Sequence, residues 1–338
     1  MKKFLKKTFI LAFIPLFVLL LAAIIWDPFK VFWNYEDYYA NTVIDSNREL
    51  VCKKMFLSKS DHKNVNAFII GSSRSQAFKV KDWMGVMAAN GQANLNGFHF
   101  DGNDLGLYRM NHLIRYLIDQ TNKIEHILLV LDHSSFKEVG PREELLFKEA
   151  PGISEGTGFD FYYTTLTSSL NKYFLMDNIE YGLTGKYKES MARSLLKLKY
   201  PATSDVQTGD IFYGLEREIK EDSMKYYNTL MQRGVFYKRE VGKVSKPMLE
   251  KEQLRLLNEI KTMITEHQID LRIVISPLYD NIKFNPQDKK TLEILFGSGK
   301  VFDYSANEQF TSSIGNYYEN SHFRPEVARQ ILKLVYTK

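Results

Sequence analysis

The feature that most constrains this chain is a set of short apolar runs, too short for helices, separated by stretches of helical periodicity. Ala67-Phe68-Ile69-Ile70, His126-Ile127-Leu128-Leu129-Val130-Leu131-Asp132 and Leu271-Arg272-Ile273-Val274-Ile275 read as strands buried on both faces. Ala93-Asn94-Leu95-Asn96 is a weaker run, and Val301-Phe302-Asp303-Tyr304 a short final one. Between the runs, Leu107, Met110, Leu113, Ile114 and Leu117 recur at helical spacing. So do Leu254, Leu257, Ile260 and Ile264, in a helix expected from about Pro247 to near His267. A last helix opens at Pro325, with Val327, Ala328, Ile331, Leu334 and Val335 on its inner side.

Strand and helix in alternation predict a parallel sheet covered on both faces. The expected class is α/β, a flavodoxin-like three-layer arrangement of about five strands. The section 136–245, rich in Tyr, Phe, Lys and Glu, reads as a mostly helical insertion. Residues 28–338 then make one body behind an amino-terminal segment of residues 1–27. In such sheets ligands collect at the carboxyl ends of the strands. At one such end the first apolar run empties into Gly71-Ser72-Ser73-Arg74-Ser75. Far downstream, Glu319-Asn320-Ser321-His322-Phe323-Arg324-Pro325-Glu326 sets a histidine three residues after a carboxylate, just before the last helix. Serine is a weak nucleophile until a histidine takes its proton and a carboxylate orients that histidine, so Ser73, His322 and Glu319 form a candidate set.

Lys2, Lys3, Lys6 and Lys7 supply four of the five net positive charges, leaving a nearly neutral body. That argues against nucleic-acid binding, whose electrostatic footprint lies on the folded domain. Cys52 is the sole cysteine, which permits no internal disulfide, and no Cys/His cluster has the spacing of a zinc site. No metal or cofactor is expected. Residues 8–26, beginning at Thr8 and ending at Trp26, carry no charge, and a helix of that length spans roughly 28 Å, close to a hydrocarbon core. Lysines before the segment and Asp27 after it keep the amino terminus cytoplasmic and send the body across. The competing reading is a cleaved signal peptide at Leu21-Ala22-Ala23. Ile24-Ile25-Trp26 continues the apolar run past the alanines and favours a retained single-pass anchor.

A strand, then Gly71-Ser72-Ser73-Arg74-Ser75, then a late acidic-x-x-His resembles the SGNH (GDSL-type) hydrolase superfamily, particularly its membrane-anchored bacterial branch acting on cell-envelope polymers. The likeness covers roughly residues 65–135 and 270–338. It implies Ser73 as nucleophile, His322 as base and Glu319 as its orienting carboxylate, with Ser72 where aspartate is usual. The glycine of the family's second block is matched by Gly102 in Asp101-Gly102-Asn103-Asp104, with Gly97 as runner-up. The third block, Gly-x-Asn-Asp, is missing, its place being held by Asp132-His133-Ser134-Ser135. Asn103, a serine hydroxyl, or the backbone N–H groups of Ser73 and Gly102 are the replacements for its oxyanion donor.

Each of these residues also has a plainer reading. Ser73 suits a helix cap, His322 a half-exposed position before Pro325, and Asn320 or Asp303 can orient the ring in place of Glu319. Arg74 reads as a salt-bridge residue or a substrate clamp, while Asp132, His133 and His99 suit either hydrogen bonding or chemistry. The resemblance implies acyl transfer, usually of acetyl, to a cell-envelope polysaccharide, beside a multi-spanning membrane-bound O-acyltransferase. The location it implies is the outer face of a bacterial cytoplasmic membrane. Ester hydrolysis and a non-catalytic scaffold subunit are the alternatives.

Overall fold

A computed structural model of the chain describes every residue except 40–42, 93, 155–157, 197–201, 240–241 and 337–338, and leaves out the side chains of 2, 3, 5–10, 12, 16 and 194. The strands, numbered along the chain, are β1 (Ala67–Ser72), β2 (Gly97–Gly102), β3 (His126–Leu131), β4 (Ala202–Ser204), β5 (Ile211–Tyr213), β6 (Asp270–Ile275), β7 (Val301–Asp303), β8 (Tyr317–Glu319) and β9 (His322–Phe323). The helices up to the insertion are α1 (Lys2–Trp26), α2 (Arg48–Ser58), α3 (Val80–Ala89) and α4 (Leu107–Gln120). The insertion holds α5 (Phe159–Ser169), α6 (Lys172–Thr184), α7 (Leu215–Glu221) and α8 (Ser223–Gln232). After it come α9 (Lys251–Glu266), α10 (Pro286–Phe296), α11 (Glu308–Thr311) and α12 (Pro325–Tyr336).

Five strands pair in parallel in the order β2-β1-β3-β6-β7. Side chains of successive strand residues point to opposite faces, so a strand with both faces covered tends to be apolar throughout, as in most of β1 and β3. Phe68, Ile70, Ile127, Leu129, Ile273 and Ile275 belong to one core, with Leu50, Met55, Leu113, Leu117, Leu257 and Ile260 from α2, α4 and α9. Ala67, Ile69, Leu128, Val130 and Val274 belong to the other, with Trp83 of α3 and Val327, Ile331 and Val335 of α12. This is a three-layer α/β arrangement. Its order reverses between β1 and β3, the point at which such sheets gather ligands.

The structure moves several expected elements. The second strand lies at Gly97–Gly102 rather than 93–96, of which residue 93 is outside the described set. β2 carries the alternation Phe98, His99, Phe100, Asp101, and buried partners rather than apolar character satisfy His99 and Asp101. The helix α10 was not expected, although it has a strong start: Asn285 caps it by accepting from the N–H groups of Gln287 and Asp288, and Pro286 fills the first turn. On α12, Leu332 is buried and Leu334 exposed. The insertion is not helical throughout, since β4 and β5 form an antiparallel hairpin within it.

Residues 8–26 fall in the helix α1, which contains Pro15 and ends at Asp27 in a left-handed turn. Among the described residues no helix is long and apolar enough to cross a membrane. The expected span therefore gains no support here, and the side chains of 8–10, 12 and 16 lie outside the described set.

At the end of β1, a Cβ on Gly71 would sit 2.8 Å from the Ser75 Cβ and 2.8 Å from the Val130 carbonyl oxygen. Glycine leaves the room in which Ser75 of the turn packs back onto the end of β1 beside β3. Gly71→Ala is expected to lower the stability of the chain by about 2 kcal/mol through overpacking. Urea unfolding followed by circular dichroism reads this directly, and an unchanged midpoint would show that the turn has room.

Candidate active site

β1 is buried to its last residue and passes directly into a short 3-10 turn over Ser73–Ala77. Ser72 caps that turn, its Oγ accepting from the Arg74 N–H at 3.4 Å. Ser75 Oγ donates back to the Ser72 carbonyl at 2.7 Å. The backbone on both sides of Ser73 is thereby fixed, while Ser73 itself stays half-buried.

His322 comes from the other end of the chain on the β8–β9 hairpin, which is irregular between Tyr317 and Glu319 and pairs Glu319 with His322. The hairpin brings the ring to Ser73: the Oγ and His322 Nε2 are 2.8 Å apart across 249 positions of sequence. On the far side of the ring, Nδ1 bonds Glu319 Oε1, and Glu319 Oε2 accepts from the Ser321 N–H at 2.8 Å. A carboxylate at Nδ1 holds the proton there and leaves the Nε2 lone pair to accept from the serine hydroxyl. Burial pushes the Glu319 carboxyl up, but the bonds from His322 and Ser321 outweigh it, and the group sits below its usual value. A serine, a ring aimed at it and a carboxylate behind the ring can together pass a proton off the hydroxyl. Of the other orienters considered, Asp303 bonds the hydroxyl of Ser305, and Asn320 accepts from the Ser321 hydroxyl.

Arg74 ties the three parts of the site together. Its guanidinium meets Asp132 Oδ2 at 2.6 Å, donates to Ser134 Oγ at 3.1 Å and to the Ser321 carbonyl at 3.3 Å. Asp132 also accepts from Ser72 Oγ at 3.3 Å and from the Ser134 N–H at 2.6 Å. Burial raises its pKa, yet Arg74 and Ser134 overcome this and the carboxyl lies below its ordinary value. Arg74 and Asp132 thus join the serine turn, the end of β3 and the hairpin. His133 packs its ring 5.9 Å from Phe284, and burial lowers its pKa. Gly102 lies beside Ser72 in the sheet register, so its backbone adjoins the serine turn. Asn103 does not reach the site, because its amide donates to the Ser46 carbonyl at 3.0 Å. His99 is fully buried beneath the turn.

Sequence reasoning did not single out Ser134, Glu216 or Arg324, which come from loops and helices with no recognisable spacing. The chain was compared with family models, curated proteins and solved structures, and none of them matches it.

Because the folded-state pKa of Asp132 is depressed, its charge stabilises the fold above the ordinary value of 3.8, and that contribution is lost as pH falls through the lower folded value. Urea midpoints measured at pH 7 and about pH 3 should therefore differ more in the wild type than in Asp132→Asn. Equal pH dependence would mean that the Arg74 pairing contributes nothing.

Proposed function

We propose that the chain is a membrane-anchored serine O-acyltransferase of SGNH-like type, passing an acyl group, in the first place acetyl, to a hydroxyl of a cell-envelope polysaccharide. The observation that carries this reading is the continuous hydrogen-bonded line from Ser73 through the His322 ring to Glu319. In the proposed first half-reaction the Ser73 Oγ attacks the acyl carbonyl while His322 Nε2 takes its proton. That proton then passes to the departing oxygen or sulfur of the donor, leaving an acyl-serine. In the second, His322 takes the proton of the acceptor hydroxyl, that oxygen attacks the acyl-serine, and the proton returns to Ser73. The developing oxyanion would be held by backbone N–H groups of Ser73 and Gly102, since Asn103 is engaged elsewhere.

The partial exposure of His322 and Glu319, 38% and 27% of their side chains, suits a bulky polymer acceptor better than an enclosed small molecule. Water as acceptor would give hydrolysis by the same steps. The membrane anchor belongs to this reading, with Thr8 to Trp26 spanning the bilayer and the lysines on the cytoplasmic side. Leu11, Phe13, Ile14, Phe17, Val18 and Leu19 on α1 are exposed apolar side chains, which this reading sets against lipid. A multi-spanning O-acyltransferase exporting the acyl group would be the partner.

Labelling the full chain with a fluorophosphonate tests the nucleophile. Ser73→Ala should abolish labelling, and His322→Ala should slow it by roughly 10⁴-fold. Labelling that persists in Ser73→Ala would remove Ser73 from the chemistry. In cells, restoration of envelope acylation by the Ser73→Ala, His322→Ala double variant would mean that the protein acts as a scaffold instead.

A further inference from the structure

We propose that residues 210–227 of the insertion form a two-armed brace that sets the separation of Ser73 from His322. The proposal rests on the nucleophile–base reading above. One arm holds the serine turn from beneath, the other holds the hairpin that carries His322 and Glu319.

The first arm begins where the loop between β4 and β5 covers the free edge of β2. The His99 N–H donates to the Thr208 carbonyl at 2.7 Å, and Arg48 Nη2 donates to the Gly209 carbonyl at 2.8 Å. Gly209 has φ +75°, and a Cβ there would lie 2.2 Å from the His99 carbonyl oxygen, so only glycine allows this approach. The next residue, Asp210, accepts from the Val80 N–H at 3.0 Å with Oδ2, while Oδ1 lies 3.3 Å from His99 Nδ1. His99 Nε2 is 2.8 Å from Ser75 Oγ, which itself bonds the carbonyl of Ser72. Three contacts thus lead from Asp210 to the peptide that precedes Ser73. Ser75 and His99 are 0% exposed and Asp210 2%, so this second serine–histidine–aspartate alignment has no approach for a substrate and serves to position. Further along the same arm, the Tyr213 hydroxyl bonds Gln76 of the serine turn, and Gln76 Nε2 donates to Asp101 at 2.6 Å.

The second arm starts three residues later. Glu216 takes a two-pronged bond from Arg324, at 2.9 Å to Nε and 2.7 Å to Nη2, and Arg324 is the residue that follows β9. Arg324 Nη1 also donates to the Gly315 carbonyl at 3.0 Å, just before β8. The hydroxyls of Tyr226 and Tyr227 donate to the carbonyls of Tyr318 and Tyr317 at 2.8 and 2.9 Å. A fork-shaped guanidinium–carboxylate pair fixes direction as well as distance, and the tyrosines fix the strand that ends in Glu319. The first arm ends on β5 and the second runs along α7 into α8, which is capped by Asp222 accepting from the Lys225 N–H, so only residues 214 and 215 separate the two. One short segment therefore touches both halves of a site whose members are far apart in sequence. A serine–histidine bond weakens quickly beyond about 3.2 Å, and a shift of about 1 Å in a reacting pair can cost about a hundredfold in rate.

The test uses the full chain in detergent micelles and the second-order rate of fluorophosphonate labelling at Ser73, at a temperature where circular dichroism shows every variant folded. Asp210→Asn for the first arm, and Glu216→Gln or the Tyr226→Phe, Tyr227→Phe pair for the second, should each slow labelling by about tenfold or more. Leu257→Ala, in the core beneath α9, is the control: it should lower the thermal midpoint and leave the labelling rate at the wild-type value. Brace variants that label as fast as wild type, whatever their thermal midpoints, overturn the proposal. Should Asp210→Asn fail to fold, the tyrosine pair decides, since it removes only two hydroxyls. If the wild type itself is not labelled, the nucleophile reading fails and the brace goes with it, an outcome distinct from labelling that is rapid in every variant.

Discussion

Parallel strand pairing is the constraint on which the site depends. Strands that run the same way must be joined by crossovers, so all their carboxyl ends emerge along one edge of the sheet. In the order β2-β1-β3-β6-β7, the turns after β1 and β3 emerge side by side at the point where the order reverses. Ser73 follows β1 and Asp132 follows β3, while the chain leaving β7 passes through α11 into the hairpin that holds His322 against Ser73. The 249 positions between serine and histidine are thus spanned by topology rather than by any local motif.

Electrostatics then secures what topology brings together. Asp132 is nearly fully buried and is kept charged by Arg74, whose other donors reach Ser134 and the hairpin carbonyl at Ser321. A buried carboxylate without such a partner would be costly, and with it the pair specifies one arrangement of three chain segments. Beneath the turn, His99, Asp101, Arg48, Gln76 and Asp210 form a second buried polar layer in which hydrogen bonds join each to at least one other. Ser73, His322 and Glu319 sit above these layers, partly exposed.

What the sequence makes legible is what burial imposes uniformly. β1 and β3 are mostly apolar on both faces and stand out as runs, β6 is apolar from Ile273 onward, and α4, α9 and α12 show their inner stripes at helical spacing. β2 was misplaced because its buried inner positions His99 and Asp101 are polar, and their partners Ser75, Asp210 and Arg48 are distant in sequence. The glutamate–histidine spacing was readable because both sit on one tight hairpin, although strands of two or three residues give no periodic signal of their own. The clamp of Glu216 on Arg324 is invisible to pattern reading, as 108 positions separate its members. Asn103 illustrates the opposite failure: its place after β2 suits a donor, but its side chain donates to the Ser46 carbonyl just before α2 instead.

A hydroxyl held against an imidazole, itself held by a carboxylate, has a chemical signature that no purely structural histidine shares: it takes up an acyl group. The most direct measurement is to incubate the full chain with a chromogenic acetyl ester, quench in acid and locate any acetyl group by peptide mass spectrometry. The account predicts acetylation of the peptide containing Ser73, close to one group per chain, and none in Glu319→Gln, His322→Ala double variants over the same interval. Acetyl found on lysines alone, or ester turnover with Ser73 unmodified and its replacement without effect, would contradict it.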